Sequence, residues 1–203
     1  MAPSFVSSHV ADTPHARDVV VIGQKNGNVY AIDAANGTIY WVAVVGPDVQ
    51  ATGTLLWGIA VDEARAYFTV LDPLYDPWTL QPSGHNISNA GYGAVRLCDG
   101  AIVWEVPVPH NSSSFAPPSV ANDLVIVGRS GRFVTSLAPN GTRGSVMLLD
   151  KASGAVVDEI AADNIIWGGV AVQGEFIMFG TGYSYGGNAN GSFNVWAVSK
   201  HMR

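Results

Sequence analysis

Residues 19–41, with the sequence VVVIGQKNGNVYAIDAANGTIYW, contain the pattern that decides the fold. The run from Val19 to Ile22 is short, β-branched and closed by Gly23, which is typical of a strand rather than a helix. Side chains then alternate between two faces up to Asp33, and Asn-Gly at 36–37 predicts a tight turn into a further strand. This stretch therefore predicts antiparallel strands joined by hairpins.

The same pattern recurs along the chain. Copies of the apolar run lie at 66–70 (a weaker copy), 124–128 and 176–180. Copies of its hairpin partner lie at 144–158 and, in shorter form, at 191–199. Short apolar segments at 57–61 and 167–171 precede two of these runs and add a strand to the unit. Four short strands per unit, repeated about every 50–65 residues without a convincing helix, indicate propeller blades.

We therefore predict an all-β fold, a partial β-propeller of about four four-stranded antiparallel blades with an incomplete last blade. The predicted single domain is 1–203, and its blades are expected at about 4–45, 55–107, 115–160 and 167–198. The alternative is an immunoglobulin-like pair of sheets. That fold gives no reason for a repeated Gly-x-x-x-Trp, found at Gly37–Trp41 and Gly100–Trp104.

Composition excludes several functions. The formal net charge of −6 and the lack of a basic cluster argue against nucleic acid as a partner. No stretch is apolar for the ~18 residues that a membrane helix needs. Cys98 is alone, the five histidines lack metal-ligand spacing, and the first residues show no signal peptide. Five glycosylation sequons occur, which favour either a glycoprotein or Asn-rich turns: Asn36, Asn86, Asn111, Asn140 and Asn190.

The pattern Ala-x-Asp-x-x-x-Gly-x-x-x-Trp, at Ala31, Asp33, Gly37 and Trp41, resembles the tryptophan-docking motif of the pyrroloquinoline-quinone (PQQ) repeat. This resemblance implies that each Trp packs between blades and that the Asp and Gly fix a turn. The third copy departs from the motif, because Asp158 stands where Trp is expected. The whole chain is most similar to the C-terminal half of polyvinyl-alcohol-dehydrogenase-like proteins, whose ring has eight blades.

The resemblance also implies cofactor-binding residues. Lys25, in the Lys-Asn-Gly of the first copy, matches a cation that hydrogen-bonds the quinone oxygens, although a solvated hairpin lysine is the alternative. Trp167 and Gly168, in a Trp-Gly-Gly segment, match residues that border the cofactor, although Trp167 can equally have only a docking role. The long insertion at 71–93 contains Tyr75 and Trp78, and we expect it to be a self-packed surface loop; the alternative is that these two side chains line a substrate approach.

By the resemblance, the function is PQQ- and calcium-dependent oxidation of a secondary alcohol or polyol, small or polymeric, in a secreted or extracytoplasmic protein. No match to the family's catalytic Asp or calcium ligands is found, so we expect a fragment that is inactive alone. The alternative is a non-catalytic propeller that serves as a binding or assembly scaffold. A cut ring would leave open blade edges prone to self-association, with Phe5, Phe193 and Trp196 less covered than their counterparts in the middle blades.

Overall fold

Four small antiparallel sheets follow one another in the computed structural model, which describes residues 8–9, 18–48, 54–131, 143–183 and 190–198. The first sheet contains β1 (Ser8–His9), β2 (Asp18–Gln24), β3 (Asn28–Asp33) and β4 (Ile39–Val44). The second contains β5 (Ala60–Val61), β6 (Arg65–Leu71), β9 (Ala90–Arg96) and β10 (Ile102–Pro107), and it carries the separate hairpin of β7 (Trp78–Thr79) and β8 (Asn86–Ile87). The third contains β11 (Ser119–Ala121), β12 (Leu124–Arg129), β13 (Ser145–Asp150) and β14 (Val156–Ala161). The fourth contains β15 (Ala171–Gln173), β16 (Phe176–Gly180) and β17 (Phe193–Ala197).

The last two strands of each complete sheet are joined by the same turn. A glycine amide donates to the carbonyl four residues earlier at 2.8 to 2.9 Å, and the glycine has a φ between +73° and +79°. The pairs are Gly37 with Asp33, Gly100 with Arg96, and Gly154 with Asp150. A positive φ favours glycine, so the recurring Gly of the sequence pattern has a backbone cause. The Asp33 carboxylate also accepts from the amide of Ala35 at 2.7 Å.

The hydrophobic core lies between successive sheets, in three layers. Side chains alternate between the two faces of a strand, so the second and third sheets each pack one face on the preceding sheet and the other on the following sheet. Val21 and Val29 meet Phe68 and Val95 in the first layer. The second layer joins Tyr92 and Ala94 to Met147 and Leu149, and the third joins Val146 and Leu148 to Ile177 and Phe179.

One tryptophan in each of the first two sheets joins that sheet to the next. Trp41 Nε1 donates to the Leu97 carbonyl at 2.8 Å, and Trp104 Nε1 donates to the Lys151 carbonyl at 3.1 Å. Each indole covers the turn glycine of the following sheet, because a Cβ on Gly100 or Gly154 would lie 2.6 Å from an indole carbon. The docking role predicted for both tryptophans is confirmed.

The sheets form an open arc, and the fold is a partial propeller, as predicted. The first strands of neighbouring sheets adjoin, with β11 between β5 and β15. At the C-terminal end, Phe193 is 73% exposed, whereas its counterpart Val146 is fully buried. Trp196 is 47% exposed, whereas its counterpart Leu149 is fully buried. The predicted exposure of these two side chains is confirmed, and Phe5 lies outside the described residues. Across the part of the chain that the structure describes, no helix has the length and apolar character needed to cross a membrane.

Candidate functional site

The loops that enter the first strands of the sheets meet around one cavity. Its volume is about 650 Å³, within the usual range for small-molecule sites. Three loops contribute to it, through Trp57, Pro117 and Trp167, and the turn after β16 adds Tyr183. The repeat thus brings equivalent loops of successive blades to one place.

Trp167 is held in an aromatic stack on the cavity wall. Its ring centroid lies 4.2 Å from that of Phe115 and 4.7 Å from that of Tyr183, with both pairs stacked. Ser130 fixes this wall, since its hydroxyl accepts from the Phe115 amide at 3.0 Å and donates to the Ile166 carbonyl at 2.8 Å. Because protein rings cover both faces of Trp167, an occupant of the cavity would meet the edge of the indole.

Glycine backbone forms the rest of the wall near Trp167. A Cβ built on Gly168 or on Gly180 would meet no atom within 4 Å, so both positions border open space. A planar group could therefore approach the backbone closely here.

A carboxylate anchors the turn that carries Tyr183. Asp163 accepts from the Thr181 hydroxyl at 2.6 Å and from the Ser192 hydroxyl at 2.8 Å. These two hydrogen bonds hold the pKa of Asp163 below its ordinary value. The adjoining Gly182, at φ +82°, packs against the backbone of Gly191. Asp163 is thus ionised to low pH and orders the turn.

Lys25 lies apart from the cavity lining. It is exposed in the turn between β2 and β3, and its carbonyl accepts from the Thr54 amide at 2.8 Å. That bond ties the turn to the segment that leads into Trp57. The structure brings Trp167 and Gly168 together on one wall, and it does not place Lys25 with them. The cofactor-binding roles of all three remain predictions.

The chemical character of the cavity fits a planar ring better than it fits a charged group. Its lining contains three aromatic side chains and several glycines, and no Lys, Arg, Asp or Glu. Within the described ranges, no three His, Cys, Asp or Glu side chains are grouped as metal ligands would be. The described residues can therefore hold a flat aromatic group, whose negative charges would need a partner outside the lining, such as Lys25.

The sequence analysis missed two lining residues, Trp57 and Tyr183, and it missed Phe115, which stacks on Trp167. A signal existed for the first, because Trp57-Gly58 repeats Trp167-Gly168 at the entry to an earlier blade. Both pairs precede their strands, β5 and β15, and lie in the loops rather than in the strands. Phe115 and Tyr183 belong to no repeated pattern.

The insertion at 71–93 does not reach this cavity. Its β7–β8 hairpin packs on the second sheet, where the Gln81 amide donates to Glu105 Oε2 at 2.6 Å. Trp78 is half-buried against the first core layer. The contacts of the hairpin agree with the expected self-packed loop.

No family model matches the chain. It is 32% identical over 110 residues to a polyvinylalcohol dehydrogenase of a Pseudomonas species, a match that covers 52% of this chain and 16% of the relative. The chain thus spans about a sixth of that relative's length.

Solved structures share the fold. The quinohemoprotein alcohol dehydrogenase ADHIIG from Pseudomonas putida HK5 matches with a TM-score of 0.57 and 18% identity, over 82% of this chain and 27% of that one. BamB from Moraxella catarrhalis matches with a TM-score of 0.51 and 20% identity, over 79% and 43%. The computationally designed Ika4 protein matches with a TM-score of 0.58 and 12% identity, over 98% and 100%.

Proposed function

We propose that this chain, a relative of the PQQ-repeat β-propellers, forms part of the cofactor-binding end of a PQQ-dependent alcohol dehydrogenase. The observation that carries the proposal is the cavity of about 650 Å³, walled by aromatic rings and bare glycine backbone from the blade-entry loops. The substrate class is a secondary alcohol or polyol, small or polymeric.

In this proposal the residues of the chain bind and orient the cofactor. Gly168 and Gly180 leave room for a flat ring beside the edge of Trp167, and Trp57 lines the same cavity. PQQ, when bound, supplies the oxidising chemistry by accepting two electrons from the alcohol. Lys25 supplies a positive charge that favours a negatively charged quinone oxygen.

We expect the chain to be catalytically inactive by itself. A catalytic carboxylate and the calcium ligands would come from outside the described residues, which hold no group of three His, Cys, Asp or Glu side chains that could bind a metal ion. We expect no alcohol-dependent dye reduction after the chain is incubated with PQQ and Ca²⁺. Robust turnover would contradict the interpretation of this chain as an inactive fragment. Absence of turnover would leave cofactor binding to be decided by the titrations below.

Cofactor binding is tested by titration with PQQ, followed by tryptophan fluorescence and calorimetry. Gly168→Leu fills the open space of the wall and is expected to weaken binding at least about tenfold. Ala161→Leu, at an exposed position of β14, is the control and should leave binding unchanged.

The charge role is tested by Lys25→Gln, which is expected to weaken PQQ binding about tenfold at low ionic strength. Lys151→Gln is the matched control, since Lys151 lies in the outer turn of the third sheet. If the wild type, Gly168→Leu and Lys25→Gln bind PQQ with equal affinity, the proposed binding site is wrong.

The second candidate is a non-catalytic scaffold. Two observations favour it: both faces of Trp167 are already covered, and the cavity lining has no cation. In that case the chain would show no saturable binding of PQQ, and Gly168→Leu would change nothing but stability.

We further propose an extracytoplasmic location, where the sequons would be accessible for modification. Four of the asparagines are exposed: Asn36, Asn86, Asn111 and Asn190. Asn36 also has a turn role, since its side chain accepts from the Thr38 amide at 2.9 Å, and Asn140 lies outside the described residues. A loss of mass on glycosidase treatment of the natural protein would support glycosylation.

A further inference from the structure

The outward face of the fourth sheet is apolar and uncovered. Phe176, Phe193 and Val195 are 42%, 73% and 56% exposed. The pairing of Met178 with Val195 and of Gly180 with Phe193 places these side chains on one face. Ile177 and Phe179 occupy the opposite face, in the third core layer. None of the outward residues of β16 and β17 carries a charge.

The repeat shows what normally covers this face. Phe193 corresponds to Val29, Tyr92 and Val146 in the three preceding sheets. Each of these three is at most 2% exposed, and each is buried against the sheet that follows it. The fourth sheet therefore presents the surface that three times in this molecule receives another blade.

The first sheet presents the other half of such an interface. Ile39, Val42 and Val44 of β4 are 53%, 47% and 69% exposed. The pairing of Val42 with Tyr30 places them on the face turned away from the second sheet. This is the face that, in the later sheets, packs on the preceding blade. Both open faces are apolar and exposed in the same chain, so the arc does not cover them itself.

We propose that a second copy of this chain covers both faces. The fourth sheet of one copy packs on the first sheet of the other, and the same contact forms twice, so two arcs close one ring of eight sheets. Such a head-to-tail contact is heterologous, and it stops at two copies when the rotation closes the ring. The contact continues the blade-on-blade packing already present at the three internal interfaces, and it does not depend on the cofactor.

The mass of the full chain in solution, measured by light scattering at micromolar concentrations, tests this proposal. The wild type is expected at the mass of two chains. The double variant Phe193→Asp/Val195→Asp blocks the fourth sheet, and Val42→Asp/Val44→Asp blocks the first. Each is expected to weaken the dimer at least about 100-fold, because unpaired carboxylates would be buried. The double variant Val156→Asp/Val157→Asp, at exposed positions of β14, is the control and should stay dimeric.

Mixing the two blocked variants distinguishes head-to-tail contacts from like-with-like contacts. Each pair retains one intact contact, between the free first sheet of one variant and the free fourth sheet of the other. The mixture should therefore form a weak dimer that neither variant forms alone. A monomeric wild type, particles of more than two chains, or a dimer insensitive to both blocks would overturn the proposal. Circular dichroism and melting of each variant verify that these exposed substitutions leave the fold intact.

Discussion

The outer strands of the second and third sheets differ at two successive positions. β10 has Trp104 and Glu105 where β14 has Asp158 and Glu159. Trp104 is 5% exposed and clamps the next sheet, whereas Asp158 cannot fill that role. A tryptophan at this position therefore covers the outer part of the interface between two sheets. The interface between the third and fourth sheets lacks it, and Trp196 of the fourth sheet is half-exposed there.

The two glutamates have opposite pKa shifts at the same repeat position. Burial raises the pKa of Glu105 to about 7, against one lowering hydrogen bond from the Gln81 amide. Burial also acts to raise the pKa of Glu159. There, however, hydrogen bonds from Ser145, His110 and Arg129, with the charge of Arg129, hold it below its ordinary value. Two differences act in the same direction: Glu105 is 6% exposed whereas the Glu159 side chain is 30% exposed, and β6 has the buried Val70 at the position that Arg129 has in β12. Burial and the neighbouring cation together therefore set opposite pKa shifts at one repeat position.

The largest effect is expected when the docking tryptophan is removed. Trp104→Ala should lower the free energy of unfolding by about 3–5 kcal/mol, because it leaves a cavity and frees the Gly154 turn. Trp196→Ala is the matched control and should cost less than about 1 kcal/mol, because this side chain is half-exposed. Denaturant unfolding measures both. Equal costs would show that docking adds nothing at the second interface.

The pH dependence of stability tests the carboxyl comparison. Folding raises the pKa of Glu105 from 4.5 to about 7, so its contribution to stability is complete below pH 4.5 and is lost as the pH rises to about 7. The expected loss is about 3 kcal/mol. Glu105→Gln should remove this part of the pH dependence and leave the variant more stable than the wild type above pH 7. A pH profile unchanged by the substitution would exclude a buried, unpaired Glu105.

A smaller effect is expected at the turn glycines. Gly154→Ala should cost about 2 kcal/mol, since the new methyl group meets the Trp104 ring and the φ of +75° disfavours it. Gly37→Ala provides the control, because its φ of +79° is similar but no atom lies within 4 Å of the added carbon. It should cost about 1 kcal/mol from the backbone alone. If the two variants melt at the same temperature, the tryptophan does not press on the turn.

The smallest effect is expected for Glu159→Gln. Glu159 is ion-paired with Arg129 at 2.8 Å, and its side chain is 30% exposed. The loss at neutral pH should therefore be at most about 1 kcal/mol. Because folding lowers the pKa of Glu159, its contribution is present above the ordinary pKa and disappears as the pH falls through the folded value. Stability curves of wild type and variant should thus converge in acid. A gain in stability at neutral pH would contradict the pairing.

The blade pattern was readable from the sequence because each of its parts has a local cause. Asn-Gly and Asp-x-x-x-Gly encode turns, and the repeated Trp has a fixed distance to them. The environment of Glu105 was not readable, since it depends on an insertion folding back to bury the carboxyl. The cavity wall could be predicted only in part: Trp167 lies in a recognisable segment, whereas Phe115 and Tyr183 stack on it only because the loop before β11 and the turn after β16 meet there. Nothing in the sequence showed that these rings would cover both faces of Trp167.

The direction of the tryptophan bonds has a consequence for how the molecule comes apart. Trp41 and Trp104 each donate to the backbone of the sheet that follows, so a sheet is held by the one before it. In repeat arrays each repeat is stabilised only by its contacts with its nearest neighbours, and local unfolding begins at the terminal repeat with the weakest interface. The fourth sheet follows Asp158 rather than a tryptophan. Its amide hydrogens should therefore exchange with solvent first, and fraying should proceed from this sheet toward the second.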